Sequence, residues 1–306
     1  MTEQTPRYAA IDLGTNTLNF LIAEKRNNKI VPIFENFQII RLGEGIASTG
    51  KITPSAIERC ISAFKLIRVE LNKFNARYVK CAATSALRDA KNGNKIKAMI
   101  ENQFNIPIHI ITGKEEANYV LSATKHEFKL MDRKVIVFDI GGGSSEITIM
   151  QNGKCFIQKS LNIGTVRGTE TFIKSDPPDS NEINGLQSEI NRHLSVFNTE
   201  KVDMGIGIAG TVTTLCAIIN EIEPYDGKKV HKSILHLKDI ASCEKKLASC
   251  SLEMRKKIKG LEPERAEVLP AGAVITRMIC EKFGLKKIYV SDRGLRWGLL
   301  YKLFEN

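Results

Sequence analysis

The chain has 306 residues, 42% of them hydrophobic, which suffices for two domains of about 150 residues, each with its own core. No apolar run approaches the roughly 18 residues of a membrane helix, and the polar start Met1 to Arg7 lacks a signal-peptide core. Neither membrane association nor export is expected, and a cytoplasmic location is implied. The net charge of +11, from 45 basic and 34 acidic residues, attracts polyanions, but no RNA- or DNA-binding signature or Arg-rich arm points to nucleic acid as a partner.

Tyr8 to Ile11, Leu18 to Glu24 and Lys29 to Phe34 predict three consecutive strands, with a hairpin turn at Asn27-Asn28. Thr53-Pro54 then starts a helix, with Thr at the N-cap, Pro at the first helical position and Ile57, Ile61, Phe64 and Leu71 on its apolar side. A strand over Tyr78 to Ala82, a helix over Asn94 to Phe104, a strand over Ile108 to Ile111 and a helix over Lys114 to Lys125 follow. The second half repeats the order. Val135 to Ile140, Glu146 to Met150 and Cys155 to Leu161 read as strands, with a turn at Asn152-Gly153. The helices after them are interrupted by a loop at Ser175-Asp176-Pro177-Pro178-Asp179. Val202 to Ile208 is a strand, Gly210 to Ile219 starts a helix, and helices fill most of Leu237 to Phe283. Lys287 to Ser291 is the last strand and Arg293 to Phe304 the last helix. Three strands and then alternating helix and strand, done twice, predict an α/β duplication with domains over 1–128 and 129–306. The seven scattered cysteines, with no CxxC among them, fit reduced thiols better than a disulfide frame or a zinc site.

A short pattern occurs once in each half. The first copy is Asp12-Leu13-Gly14-Thr15-Asn16-Thr17 and the second Asp139-Ile140-Gly141-Gly142-Gly143-Ser144-Ser145, each between two apolar runs. Glycines let backbone amides approach an anion with no Cβ in the way, and Thr15, Asn16, Thr17, Ser144 and Ser145 add side-chain donors. Asp12 and Asp139 are suited to hold Mg²⁺, directly or through water, and so to neutralise phosphate oxygens. A third turn, Gly207-Ile208-Ala209-Gly210-Thr211, joins a strand to a helix and offers a further anion seat at Gly210 and Thr211. A plain tight turn explains one Asp-x-Gly; two copies in matching contexts and the third turn favour a phosphate site.

These turns resemble the phosphate loops of the actin, sugar-kinase and heat-shock ATPase superfamily. Within it the chain is similar to the exopolyphosphatase and guanosine pentaphosphate phosphohydrolase (Ppx/GppA) family. The likeness rests on both Asp-x-Gly turns, on Thr84-Ser85-Ala86-Leu87-Arg88, Gly113-Lys114-Glu115-Glu116-Ala117 and Ala209-Gly210-Thr211-Val212-Thr213-Thr214-Leu215, and on Lys229-Val230-His231. It continues through Arg265-Ala266-Glu267-Val268-Leu269-Pro270-Ala271-Gly272 and Ser291-Asp292-Arg293-Gly294-Leu295-Arg296. It implies duplicated actin-like (ribonuclease H-like) α/β domains with a phosphate-binding cleft between them. Long members carry an extra C-terminal helical domain, so a chain of this length resembles the short, two-domain type. Trp297 stands where Glu is common, and Lys232 where Gly often follows the His.

The resemblance also implies roles. Glu116 is the general base that activates water for in-line attack on a terminal phosphorus, although read alone Glu115-Glu116 is ordinary helix N-terminal acid. Asp139 and Glu146 are the catalytic magnesium carboxylates, with Asp12 completing the Mg²⁺ site. Arg88 suits a phosphate clamp, a surface ion pair being the plain alternative. Arg41 and Arg265 are weaker candidates for outer phosphates or a guanosine moiety, and His231 serves as well for packing as for chemistry. The expected activity is Mg²⁺-dependent release of the terminal phosphate from inorganic polyphosphate, guanosine pentaphosphate or both; a homodimer is common in the family the chain resembles, and no residue of this sequence speaks for or against one. A superfamily kinase using ATP and a hydroxyl acceptor, and a non-catalytic sensor of these ligands, are the alternatives.

Overall fold

In the computed structural model, residues 5–27, 29–130, 133–152, 154–198 and 201–305 are described. The predicted turns keep Asn27 and Asn152 in view, at φ 49° and 52°, the left-handed conformation Asn tolerates in tight hairpins. Their partners Asn28 and Gly153, the start of the chain at 1–4 and residues 131–132, just past the expected domain boundary at 128/129, lie outside the described residues.

The chain divides into two compact units, Met1–Ala123 with Leu295–Asn306, and Thr124–Gly294. The first contains β1 (Arg7–Leu13), β2 (Thr17–Arg26), β3 (Lys29–Ile39), α1 (Ile46–Thr49), α2 (Pro54–Lys73), β4 (Ala76–Ala83), α3 (Ser85–Asp89), α4 (Gly93–Phe104), β5 (Ile108–Ile110) and most of α5 (Gly113–Glu127). Its sheet runs β3-β2-β1-β4-β5: an antiparallel meander followed by two parallel strands. Thr53 starts α2 as its composition predicts, its hydroxyl accepting from the Ala56 amide at 3.3 Å. Phe64, Ile67 and Leu71 of α2 then pack with Ile11, Leu13, Phe20 and Ile22 of the sheet.

The second unit contains β6 (Lys134–Ile140), β7 (Ser145–Gln151), β8 (Lys154–Leu161), α6 (Thr165–Phe172), α7 (Ser180–Leu194), β9 (Met204–Ile208), α8 (Ala209–Ile219), α9 (Gly227–Val230), β10 (Ile234–His236), α10 (Leu237–Ser249), α11 (Leu252–Arg255), α12 (Leu269–Lys282) and β11 (Lys287–Ser291). Its sheet runs β10-β11-β9-β6-β7-β8. Read from β8, this is the same meander with the same two parallel strands beside it, plus an antiparallel edge strand, β10. Phe138, Ile147 and Ile149 meet Leu186, Ile190, Leu215 and Ile275 in a separate core. Two cores under two sheets of matching order are the duplication the repeat predicted.

One assignment differs. The expected second domain ran to residue 306, but α13 (Leu295–Glu305) belongs to the first unit. Phe304 meets Tyr8 of β1 edge-on at 4.4 Å, Arg296 pairs with Glu35 at 3.1 Å, and Gly298 lies against the Tyr119 carbonyl of α5. Trp297 is buried, in line with a packing role. Four short elements, α1, α3, α9 and β10, escape the sequence pattern because three to five residues are too few to show a period.

Candidate active site

In each sheet the parallel strands deliver their C-terminal ends to one edge, where open α/β sheets bind ligands. In the first unit β1, β4 and β5 end side by side. The Thr84 amide donates to Leu13 O at 3.1 Å, and the Ile111 amide to Ala83 O at 2.9 Å. The turn of Gly14, Thr15, Asn16 and Thr17, the short helix bearing Arg88 and the first turn of α5 with Glu116 follow from those three ends. The sequence motifs, from Gly14 to Glu116 across 102 positions of the chain, therefore reach one rim of one sheet.

The two Asp-x-Gly turns are built alike. Gly14 N donates to Thr17 O, and Gly141 N to Ser144 O, each at 3.0 Å. A Cβ on Gly14 would lie 2.9 Å from Thr17 O, so the closure needs glycine. The carbonyls of both turns are held from outside. Thr15 O accepts from the Gly43 amide and Asn16 O from those of Ile40 and Arg41. Gly141 O accepts from the Thr165 amide and Gly142 O from those of Val166 and Arg167. Arg41 thus anchors the first turn through its backbone, at φ 45°, and Arg59 caps its carbonyl in turn at 3.2 Å.

Side-chain roles sharpen beyond the sequence reading. Thr15 shares a buried 2.7 Å hydrogen bond with Ser85, so the first turn and the Arg88 helix are tied together. Ser145 donates to Ile163 O at 2.6 Å and Thr211 to Ile140 O at 2.8 Å. Both hydroxyl protons are spent on holding the loops. The backbone of Gly142, Gly143 and Ser144, with Gly210, is what these segments can offer to an anion.

The acidic residues follow the register. Asp12 faces Asn19 across β1 and β2, and Asp139 faces Glu146 across β6 and β7. Directly opposed residues of an antiparallel pair project on one face. Asn19 Nδ2 donates to Asp12 Oδ2 at 3.0 Å. Burial pushes the Asp12 carboxyl up to about 6, against the pull of Asn19 and of the Arg296 charge. In the second unit the pair is two buried carboxylates, Glu146 receiving the Ser160 hydroxyl at 2.7 Å. Within either unit the described residues gather no set of three or more His, Cys, Asp or Glu side chains able to hold an ion. Two hard carboxylates, completed by water and substrate oxygens, are nevertheless the donor set Mg²⁺ favours.

Glu116 is buried in the first turn of α5, its amide bonded to Thr112 O at 2.9 Å. Arg88 Nη1 lies 3.6 Å from Glu116 Oε2 and donates to Ile111 O at 3.0 Å, while Arg88 Nε lies 3.5 Å from Asp89. The guanidinium is thus aimed at Glu116 by a backbone carbonyl. In the second unit, Arg265 lies on the third turn. A Cβ on Gly210 would come within 2.2 Å of Arg265 Nη1, so only glycine admits the guanidinium over the start of α8. Burial lowers the Arg265 pKa, and Glu262, at 3.5 Å, opposes that shift.

His231 reaches the buried Glu127 carboxylate at 3.2 Å, and Arg293 and Lys232 converge on the same group. Its place is a structural ion cluster. Ser85, Arg59, Arg167 and Glu127 were not singled out from the sequence. Only their position beside residues distant in the chain gives them a part, though the Gly164 that follows β8 was a readable mark of close backbone approach.

Two duplicated actin-like units with paired Asp-x-Gly turns define the structural class. The chain belongs to the Ppx/GppA phosphatase family, whose model matches residues 21–306. It is 29% identical to exopolyphosphatase 2 of Mycobacterium tuberculosis, covering 97% of this chain and 98% of that protein. It is 33% identical to a bifunctional 3-dehydroquinate synthase/phosphatase of Fusobacterium nucleatum over 97% of this chain but only 46% of that one. A guanosine-5'-triphosphate,3'-diphosphate pyrophosphatase of Vibrio cholerae is 26% identical over 99% of this chain and 60% of its own length. The chain thus spans about half the length of two of these three relatives. The crystal structure of the Aquifex aeolicus family member superposes with a TM-score of 0.83 at 33% identity, covering 99% of both chains.

Proposed function

We propose that the protein is a Mg²⁺-dependent phosphohydrolase that releases the terminal phosphate of inorganic polyphosphate, guanosine pentaphosphate or both. The observation that carries this reading is the buried Glu116, held 3.6 Å from Arg88 at the strand ends that also bear the first Asp-x-Gly turn. Glu116 takes a proton from water as its oxygen bonds to the terminal phosphorus; the phosphoanhydride bond breaks and the shortened chain leaves with its electron pair. Arg88, whose charged planar guanidinium suits a phosphate group, neutralises equatorial phosphate oxygens. The glycine-turn amides orient the phosphates, and Arg265 with Gly210 serves an outer phosphate or a guanosine. Asp139 and Glu146 of the second unit would hold Mg²⁺, which supplies charge neutralisation on the substrate when bound, and Asp12 of the first unit is a further carboxylate suited to that cation. Relatives named for exopolyphosphatase and for guanosine pentaphosphate hydrolysis support this substrate class.

A cytoplasmic place is part of the same proposal: all seven cysteines are free, and among the described residues no helix is long and apolar enough to cross a membrane.

The test is phosphate release with Mg²⁺ from short polyphosphate, long polyphosphate and guanosine pentaphosphate, side by side. Glu116→Gln should lower kcat by more than about 100-fold, near 2.7 kcal/mol of barrier, with substrate binding mostly intact. Near-wild-type turnover by that variant refutes the base assignment. Phosphorylation of a sugar by ATP would favour a kinase, and binding without turnover a sensor.

A further inference from the structure

The second glycine turn has a side-chain anchor on its backbone. In the first turn the captured carbonyls, Thr15 O and Asn16 O, are held by backbone amides of residues 40, 41 and 43. In the second, Gly141 O receives the Thr165 amide at 2.9 Å, and Gly142 O receives the amides of Val166 and Arg167 at 2.8 and 3.0 Å. The third carbonyl, Gly143 O, receives a side chain: Arg167 Nε, at 2.8 Å. We propose that Arg167 is the positioning residue of this turn, fixing the Gly143–Ser144 peptide so that the Ser144 amide is aimed at a phosphate oxygen.

Within a trans peptide the carbonyl and the next N–H point in opposite directions. Three carbonyls drawn toward the start of α6 therefore turn the amides of Gly142, Gly143 and Ser144 the other way. Three consecutive glycines cannot hold such a direction by themselves, because each has the widest conformational freedom of any residue. Backbone bonds fix the first two peptide planes, and Arg167 fixes the last. Preorganised amides are worth most where charge develops, so loosening one plane should show in turnover more than in binding. The kinetic consequence rests on the phosphohydrolase reading; the structural one does not.

Three variants separate positioning from charge. Arg167→Gln keeps an N–H donor at the same number of bonds from the backbone and removes the charge. Arg167→Lys keeps the charge and moves the donor one bond further. Arg167→Met removes both. The expected result is that Met lowers kcat about 10- to 100-fold with KM within about threefold, the scale of a misplaced group. Gln should restore kcat to within about threefold of wild type, and Lys should not. Hydrogen exchange of the Thr165, Val166 and Arg167 amides, which bond the turn, should rise in the Met variant and stay near wild type in Gln. That readout stands even if the wild-type protein releases no phosphate from any substrate, an outcome that would refute the proposed function alone. Rescue by Lys with failure of Gln would mean that the guanidinium charge, not the Nε donor, matters, and would overturn the inference. So would unchanged exchange at the three amides in the Met variant.

Discussion

Gly164 packs on the second glycine turn so closely that one methyl group tests the whole arrangement. Its φ of −153° and ψ of 176° are extended backbone that alanine adopts freely, so Gly164→Ala brings no conformational strain. The penalty is steric. The new Cβ would lie 2.5 Å from Gly142 O, 2.6 Å from Gly142 C and 2.7 Å from Gly141 O, whereas ordinary contact begins at 3.4 Å. All three are backbone atoms, so the turn itself must retreat by about 1 Å, stretching the bonds from Thr165 and Val166. Overpacking of this kind costs about 1–3 kcal/mol, and each kcal/mol lowers the melting temperature of a domain this size by roughly 2–4 °C. On the proposed role of this turn in seating phosphate, a displacement of about 1 Å should lose about 100-fold in kcat/KM. Gly168→Ala, in the same helix, is the control. Its Cβ would be tight against Leu186 Cδ1, the end of a flexible side chain, at 3.2 Å, with Ala271 Cβ at 3.5 Å and Ile163 Cδ1 at 3.8 Å in ordinary contact, and activity should stay within about threefold. Thermal unfolding by circular dichroism and phosphate release with Mg²⁺ measure both effects. A Gly164→Ala protein that melts lower but turns over at the wild-type rate would refute the role given to this turn. One unchanged in both respects would refute the packing argument as well.

Two further predictions concern acid groups. The folded Asp12 carboxyl is raised by burial from 3.8 to about 6, so its contribution to stability is complete below pH 3.8 and lost as pH rises through 6. Asp12→Asn should therefore raise the melting temperature of the metal-free protein at pH 7 and abolish activity, with the stability gain shrinking as pH falls from 6 to 4. A gain that is the same at pH 7 and pH 4 would contradict the burial argument. Glu182 has the opposite sign. Its carboxylate accepts from the Ser175 hydroxyl at 2.6 Å and from the amides of Asp179, Lys174 and Ser175, and is held down to about 2 from 4.5. Its stabilising effect is present above pH 4.5 and fades as pH falls toward 2. Urea unfolding of wild type and Glu182→Gln should differ at pH 6 and converge toward pH 3; a constant difference would rule the carboxylate out.

Much of this was legible in the sequence because it is local. Strand periods, the Thr53-Pro54 helix start and the two Asp-x-Gly turns depend on residues within a few positions of one another. The inequality of the turns was legible too. The same spacing that sets Asn19 opposite Asp12 sets Glu146 opposite Asp139, and register converts spacing into a shared face.

What the tertiary structure decided is what depends on distant parts of the chain. The return of α13 to the first unit turns on Tyr8, Glu35 and Tyr119, none of which marks itself in sequence as a partner of residues 295–305. Ser85 joins Thr15, Arg265 overlies Gly210, and Arg167 holds Gly143, each across 24 to 70 positions. The chemistry these side chains share was written as residue types. Which hydroxyl is spent on a carbonyl, and which guanidinium rests against a glycine, is set by packing, where a single Cβ or a displacement of about 1 Å decides the outcome.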